Sequence, residues 1–461
     1  GGLSRKYRYH SMDRVFAEID WCGRNGIQYV FNADSNFGMH KRDQEIAEFI
    51  VETKHKYGAP DKFRTCFGKN TDDKIFRIGS LFAEHDLCKG VTLARQSNDE
   101  DTLKAIKRGN IKMSSFSNLQ RRFTAAGVPL YAELILGLPG ETVATWERGI
   151  DELLVAGFEN QLFIYLCQVY PNTELADPAY LEQYGMRTVV AELHEIHGEE
   201  RDAAWPTEYE TLVVATNSMS HDEWQRMVTF SWLTMLMHGM KVGHYILAYL
   251  IRRHDVSPSA LFGYIVDNRM PEGTGELLRR ELAVWRGQLE DMLASGTGRG
   301  HVLADYGALY WAAEEASFLR VCEDLDQFYA EFHEVLRAFL AESSIIADPV
   351  ELEEVVRYQR LRMPSATENR SGSYEFTTNV PLYCPAAAAG APEAFQHDRH
   401  VLDVNARDFE GDSERFARET VLWGRKSGSA LSVASARPAP STLLVDPRAA
   451  NGGATLHTSG H

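Results

Sequence analysis

The chain has 461 residues, 44% hydrophobic and 25% charged, with 65 acidic against 48 basic side chains and a formal net charge of -17. That length can bury a large core divided among two or three domains. The acidic balance, with no clustered basic stripe, argues against a groove for nucleic-acid phosphates. Six scattered cysteines point to a reducing, cytoplasmic setting, and no signal-peptide pattern falls within the first 20 residues.

From Ser11 to Leu175, strand and helix patterns alternate at the spacing of repeated βα units. Strands are expected near 28–32, 62–67, 90–95, 130–136 and 161–167. Helices are expected near 12–24, 42–57, 72–85, 99–107, 115–126 and 143–156. The strands are apolar on both faces, as a parallel sheet covered by helices requires. Candidate functional groups therefore come from strand C-termini. Asp34 follows the first strand and could accept hydrogen bonds from an ammonium group, although an Asx turn accounts for it as well. Glu133 sits mid-strand among apolar neighbours, where a carboxylate needs a salt bridge or a ligand. In the turn Gly137-Leu138-Pro139-Gly140-Glu141-Thr142 the glycines allow sharp, close backbone, and Glu141 stands beside the amides of the next helix. Cys167 reads more readily as a small buried apolar residue than as a reactive thiol.

Beyond Pro178 long helical patterns take over. Residues 1–183 are expected to form the α/β unit, 184–345 an α-helical domain, 346–425 a small mixed α/β segment and 426–461 a disordered tail. Ser220 to Glu223 is a capping box. The apolar run from Met227 to Ile251 approaches membrane-spanning length, but His238, Lys241, His244, Gly239 and Gly243 interrupt it, so a helical core or the wall of an apolar-substrate site is expected. His194 and His197 lie three apart on a possible helix, where a solvated face is favoured over a metal site and no metal ligand is assigned. A strand over Tyr374–Pro381, a linker at Pro385–Gly390, a strand at His400–Val404 and a helix over Ser413–Trp423 complete the expectations.

Taken together, Gln96-Ser97, Leu103-x-x-Ile106-x-Arg108 and Glu133-x-Ile135-x-Gly137-Leu138-Pro139-Gly140-Glu141-Thr142 resemble the radical S-adenosylmethionine superfamily, in the branch whose members usually carry a cobalamin-binding domain. The resemblance is densest over residues 12 to 176 and looser to about 425. It implies a partial (β/α) barrel of the radical S-adenosylmethionine type lacking its first strand, followed by a mainly helical domain and a partly disordered tail. It also implies that S-adenosylmethionine lies at the strand ends. Gln96 and Ser97 would meet its ribose, Asp34 its amino group, the segment holding Cys167 and Val169 its adenine, and Glu133, Gly137, Gly140 and Glu141 would support the rest. Ser97 or Asp99 could also simply cap the following helix.

The family needs a Cys-x3-Cys-x2-Cys loop for a 4Fe-4S cluster. Cys22, Cys66, Cys88, Cys167, Cys322 and Cys384 are never closer than 22 positions apart, so that loop is absent. The expectation is a core fragment of an enzyme that reductively cleaves S-adenosylmethionine to a 5'-deoxyadenosyl radical, with cobalamin-dependent methyl transfer as a further step in the complete protein. As it stands the chain is expected to be inactive. The alternative is a non-catalytic barrel holding an adenosyl ligand, and a weaker one uses the Gly137–Thr142 turn as a phosphate nest. A small-molecule or apolar substrate is expected, with neither nucleic acid nor a membrane span, and the lost strand should leave an exposed edge at Gln28–Phe31.

Cysteine spacing yields a direct expectation. Anaerobic reconstitution of this 461-residue chain with iron and sulfide should give no stoichiometric cluster absorption in the visible. A full cluster would show that distant cysteines converge.

Overall fold

The structure is a computed structural model that describes residues 8–439, apart from 35, 69–71, 89, 110–112, 203, 392 and 425–430. Its first part runs α1 (Met12–Arg24), β1 (Tyr29–Phe31), α2 (Arg42–Tyr57), β2 (Lys62–Arg64), α3 (Asp72–Glu84), β3 (Val91–Gln96), α4 (Glu100–Ala105), α5 (Met113–Ala125), β4 (Leu130–Leu136), α6 (Val143–Val155) and β5 (Leu162–Leu166). Each element falls on its expected segment. Ser11 caps α1 and Gly58 ends α2 in left-handed backbone, as their sequence positions require.

The strands do not form one continuous sheet. β1 pairs in parallel with β2, and β3, β4 and β5 form a separate parallel triple. β2 is only three residues long, and the Phe63 N–H reaches the Leu87 carbonyl, 2.7 Å, in the chain entering β3 without a ladder following it among the described residues. Too short a strand cannot carry a ladder to its neighbour. On β1, Tyr29 and Phe31 are exposed.

The second part continues with α7 (Pro178–Gln183), β6 (Arg187–Glu192), β7 (Tyr209–Ala215), α8 (His221–Thr234), α9 (His244–His254), α10 (Pro258–Val266), α11 (Glu276–Ser295), β8 (His301–Val302), β9 (Tyr310–Trp311), α12 (Ala313–Val321), α13 (Leu325–Glu342) and α14 (Pro349–Arg362). It is not purely helical, because β6 and β7 form an antiparallel hairpin. Through Val169, whose N–H bonds the Thr211 carbonyl at 2.8 Å, β7 also extends the sheet beyond β5. His194 and His197 lie in the loop after β6 rather than on a helix, and His197 takes left-handed backbone at φ 69°. The Met227–Ile251 run is broken by a π turn at Met235–Gly239 and by Lys241 at φ 69°. Among the described residues no helix is long and apolar enough to cross a membrane.

The last part holds β10 (Gly372–Phe376), α15 (Val380–Ala388), β11 (His400–Asn405), α16 (Ser413–Ala417) and β12 (Val433–Pro438). Two sequence expectations change here. The alanine run after Pro385 is helical rather than a linker, because alanine favours helix and Pro381 sits in the first turn, where it is tolerated. Residues 433–438, expected to be disordered, form the third strand of an antiparallel sheet against β11, with Arg437 bonded to Asp403 at 2.8 Å. An edge strand needs only backbone pairing, so its Ser- and Ala-rich composition carries little periodic signal. Residues 426–430 and 440–461 of the expected tail lie outside the described residues.

One continuous cluster of buried apolar side chains extends from Phe37 to Val421, joining sheet and helices. Where β5 begins, that core contains polar groups. His238 Nε2 donates to the Asn160 carbonyl at 3.0 Å, Lys241 Nζ reaches the Glu159 carbonyl and His244 Nδ1, and Gln359 donates to the Lys241 carbonyl at 2.9 Å. Burial, with Lys241 alongside, holds both imidazoles well below their ordinary value, and burial lowers Lys241 to about 8.

These rings stay neutral in the fold but protonate near pH 6.5 once unfolded. Below that pH the unfolded state binds more protons, so stability falls as pH drops from 6.5 towards 5. Urea unfolding should show a loss of up to about 1.4 kcal/mol per pH unit for each ring, and His244→Gln should flatten the slope. A pH-independent midpoint over that window would show that the rings protonate in place.

Candidate functional site at the strand ends

β3 ends irregularly. Its register against β4 slips between Ala94 and Gln96, and Gln96 adopts left-handed backbone at φ 65°. A non-glycine residue held there costs about 1–3 kcal/mol and persists only where its surroundings over-determine it. The Gln96 carboxamide is half-buried and makes no hydrogen bond to the described residues.

Those surroundings are visible one residue on. Ser97 is 1% exposed, and its Oγ donates to Glu141 Oε2 at 2.5 Å while accepting from the Asp99 N–H at 3.0 Å. Asp99 in turn caps α4, accepting from the Thr102 N–H at 2.9 Å. Glu141, also 1% exposed, takes a second hydroxyl from Thr145 at 2.5 Å. Burial raises its carboxyl above the ordinary range, and the Ser97 and Thr145 hydroxyls oppose that rise. Asn98 adds a bond to the Gly149 carbonyl at 2.8 Å. The end of β3 is thereby fastened to the start of α6.

The Gly137–Thr142 turn is equally constrained. Gly137 and Gly140 lie at φ 95° and 92°, where an L side chain is strained. A Cβ on Gly140 would stand 3.4 Å from Thr102 Cα, and one on Gly137 would meet Cys167, Val213 and Trp224 at the same distance. The Gly140 N–H donates to Ser218 Oγ at 3.1 Å, that of Glu141 to the Leu138 carbonyl and that of Thr142 to Thr145 Oγ1. With these amides engaged and a carboxylate buried beside them, the turn is not the anion nest considered from sequence. Nor does Glu141 serve the helix amides, since Thr142 caps α6.

Glu133 is half-buried on β4 with Arg108 in electrostatic reach, which keeps its salt-bridge reading alive. Cys167 is 2% exposed and burial pushes its thiol up to about 12, which removes it as a nucleophile. Its N–H donates to the Leu136 carbonyl and its carbonyl accepts from Val213, so Cys167 and Val169 run as sheet towards β7. Asp34 forms the Asx turn, accepting from the Asn36 N–H at 2.9 Å. It lies exposed on a cleft of about 660 Å³ by β1, and no hydrogen bond among the described residues joins it to the strand-end group. The structure thus brings Gln96, Ser97, Gly137, Gly140, Glu141 and Cys167 into one neighbourhood and leaves Asp34 in the loop after β1.

Sequence reasoning missed the groups beside β5. Gln168 donates to Glu210 at 2.7 Å, Arg299 binds the same carboxylate at 2.8 Å, and His197 pairs with Glu315 at 2.8 Å. Their residues are far apart in the chain, and Glu210, the second residue of β7, is buried there. Among the described residues the carboxylate and imidazole groups close enough to share an ion are Asp348, Glu351 and His397. There Glu351 is already held by Arg253 at 3.1 Å and by the Tyr249 hydroxyl.

No family model matches the chain. It is 31% identical over 386 residues to the cobalamin-dependent radical SAM methyltransferase TokK of Streptomyces tokunonensis, covering 80% of this chain and 56% of that protein. The chain belongs to the radical S-adenosylmethionine superfamily, in its cobalamin-dependent branch. A 2-(S-pantetheinyl)-carbapenam-3-carboxylate methyltransferase of Streptantibioticus cattleyicolor is 30% identical over 390 residues, 82% of this chain and 56% of that one. A tRNA-2-methylthio-N(6)-dimethylallyladenosine synthase of Syntrophotalea carbinolica is 26% identical over 35% of each chain. Among solved structures, the radical S-adenosylmethionine methyltransferase TsrM of Kitasatospora setae aligns with a TM-score of 0.30 at 19% identity, over 38% of this chain and 33% of that one. This superfamily member spans about half the length, 56%, of the curated relatives it matches.

The Ser97–Glu141 bond sets an expectation for stability. Ser97→Ala removes one partner of a buried carboxylate and should destabilise by about 1.5–3 kcal/mol in urea unfolding. Glu141→Gln, which keeps an acceptor, should cost less than Glu141→Ala. Equal losses in the two Glu141 variants would mean that packing, not the hydroxyl pair, holds the turn.

Proposed function

We propose that the strand ends of this protein bind S-adenosylmethionine and that the whole protein transfers a methyl group to a small molecule. The observation that carries the reading is Gln96, a strained residue at a strand terminus with an unengaged carboxamide. The carboxamide offers both donors and an acceptor to ribose hydroxyls. Ser97, Glu141 and Thr145 act as positioning residues that hold Gln96 in place, since their own polar atoms are directed at each other. Gly137 and Gly140 let the β4–α6 turn lie close beside them. The names of the relatives support a cobalamin-dependent methyltransfer and, in one case, a carbapenam-3-carboxylate substrate.

When bound, S-adenosylmethionine with a 4Fe-4S cluster and cobalamin supplies the methyl group and the one-electron chemistry. The cluster does not fit this chain's own residues. Cys167, Cys322 and Cys384 are buried, and no three cysteines come together among the described residues. That observation favours a second reading, in which these 461 residues alone are an adenosyl-binding barrel without catalysis. What the residues here do is bind, orient and shield. Cluster ligation and methyl transfer are proposed for the whole protein.

Replacing Gln96 separates strain from fold. Gln96→Gly should raise stability, because glycine relieves the left-handed backbone, by up to about 1–3 kcal/mol. It should weaken S-adenosylmethionine binding to the holoprotein by roughly two- to tenfold, the worth of a neutral hydrogen bond. Equilibrium dialysis and urea unfolding measure the two. Unchanged affinity together with raised stability would make Gln96 a plain defect and remove the ribose assignment.

A further inference from the structure

Among the described residues there are two π turns, Met235–Gly239 and Arg418–Leu422, and both border one cavity of about 440 Å³ beside β5. Met235 comes from the first, Val421 and Leu422 from the second. Such turns are rare and recur at functional sites. Gln168, which follows Cys167, lines the same cavity, so it adjoins the strand-end group.

His197 also lines it, in left-handed backbone at φ 69°, a strained conformation that persists only where the surroundings over-determine it. Its N–H donates to the Tyr310 carbonyl at 2.7 Å, and its ring stands edge-on to Trp311. The ring Nε2 donates to Glu315 Oε2 at 2.8 Å. Glu315 is 0% exposed, and the same oxygen accepts from the Ala312 N–H at 3.1 Å. These contacts orient the imidazole and select its tautomer, with the proton on Nε2 and the lone pair on Nδ1. Nδ1 has no hydrogen-bond partner among the described residues and is not enclosed by protein, the side chain being 28% exposed.

Other basic groups on the lining are engaged. Gln168 and Arg299 hold the Glu210 carboxylate, and His194 Nδ1 accepts from the Gly300 N–H at 3.2 Å while Tyr310 stacks on its ring at 4.3 Å. Leu193 and Ile196, 40% and 38% exposed, stand immediately before the two histidines and give that wall an apolar surface. An acceptor nitrogen set in an apolar wall rewards an apolar ligand that carries a hydrogen-bond donor.

We infer that the His197–Glu315 pair is a proton-accepting site for a small molecule with an ionisable O–H on an apolar body. The ligand's O–H bond breaks with its electron pair left on oxygen, and the proton forms an N–H bond at His197 Nδ1. Glu315 is the positioning residue, whose carboxylate stabilises the imidazolium so formed. As activation of a methyl acceptor, this rests on the reading of the strand ends as the cofactor site. The proton transfer itself does not.

4-Nitrophenol tests the pair on the 461-residue protein, because its phenolate absorbs strongly in the visible and the phenol does not. At a pH about one unit below the ligand's own pKa, roughly a tenth of it is ionised in water. Ligand bound at saturation should be more than about half phenolate. His197→Asn keeps a residue that tolerates left-handed backbone and removes the imidazole. It should return the bound ligand to the phenol form, with affinity changed by less than about tenfold. Glu315→Gln should lower the phenolate fraction of the bound ligand, a spectral change that lost packing alone would not give. A crystal of the unaltered protein soaked with 4-nitrophenol should place the phenol oxygen within hydrogen-bond distance of His197 Nδ1, and this keeps the test decisive if either variant fails to fold. No saturable binding, a ligand bound as the phenol, phenolate that survives His197→Asn, or an oxygen away from Nδ1 would each overturn the assignment. Gln96→Gly should leave the phenolate signal unchanged. If S-adenosylmethionine does not bind while bound 4-nitrophenol ionises, the cofactor reading fails and the proton-accepting pair stands.

Discussion

The strand-end site depends on one buried carboxylate. Glu141 sits at the close of the turn after β4, and removing a charge from water there is costly unless hydrogen bonds replace its hydration. Two hydroxyls do so, Ser97 from the end of β3 and Thr145 from the first turn of α6, each at 2.5 Å. The end of β3 is therefore fixed to the turn after β4 and the first turn of α6 by a single group. Thr145 also accepts from the Thr142 N–H, so the bond that steadies the carboxylate belongs to the same cap that starts α6. Gln96 stands immediately before Ser97. With Ser97 held, the backbone has to turn at Gln96, and the left-handed conformation at φ 65° follows from that tether.

β5 is the second organising element, because both its ends are fastened to the helical part. At its start the carbonyls of Glu159 and Asn160 receive Lys241 and His238 from the π turn and the loop after it. At its finish Cys167 and Val169 pair with β7. The strand so held carries Phe163 and Tyr165. The helix break at Met235–Gly239, which interrupts an apolar run of near-membrane length, is what delivers His238 and Lys241 to β5. Interruptions that excluded a membrane span in the sequence thus serve as the joints of the fold.

The α/β elements were legible because each carries a local signal: apolar runs for β3, β4 and β5, Ser11 and Asp99 at helix starts, Gly58 at a helix end. Strand partnership was not legible. Nothing in Lys62–Arg64 says that β2 stops short of pairing with β3. In the site, Gln96, Ser97, Gly137, Gly140 and Glu141 stood out by motif, yet their division of labour did not. A hydroxyl suited to a ribose is equally suited to a carboxylate, and only the 44-residue closure between Ser97 and Glu141 shows which partner it has. The residues around the cavity were invisible for the same reason. Gln168, Glu210 and Arg299 meet across separations of 42 and 89 residues, which no periodicity encodes.

The features that build the adenosyl side of the proposed site are backbone strain, a buried carboxylate and tightly packed glycines, and none of them needs a metal to form. Cluster ligation, by contrast, requires three thiolates in one loop, and this chain's cysteines are dispersed and mostly shielded. Binding and one-electron chemistry are therefore separable in physical origin. The proposed binding would draw on a folded sheet end, which hydrogen bonds between Ser97, Glu141 and Thr145 set. The second depends on ligands that these residues neither supply nor position. The proposed S-adenosylmethionine site would need no cluster to take this shape, since the carboxylate beside Gln96 is held by protein hydroxyls.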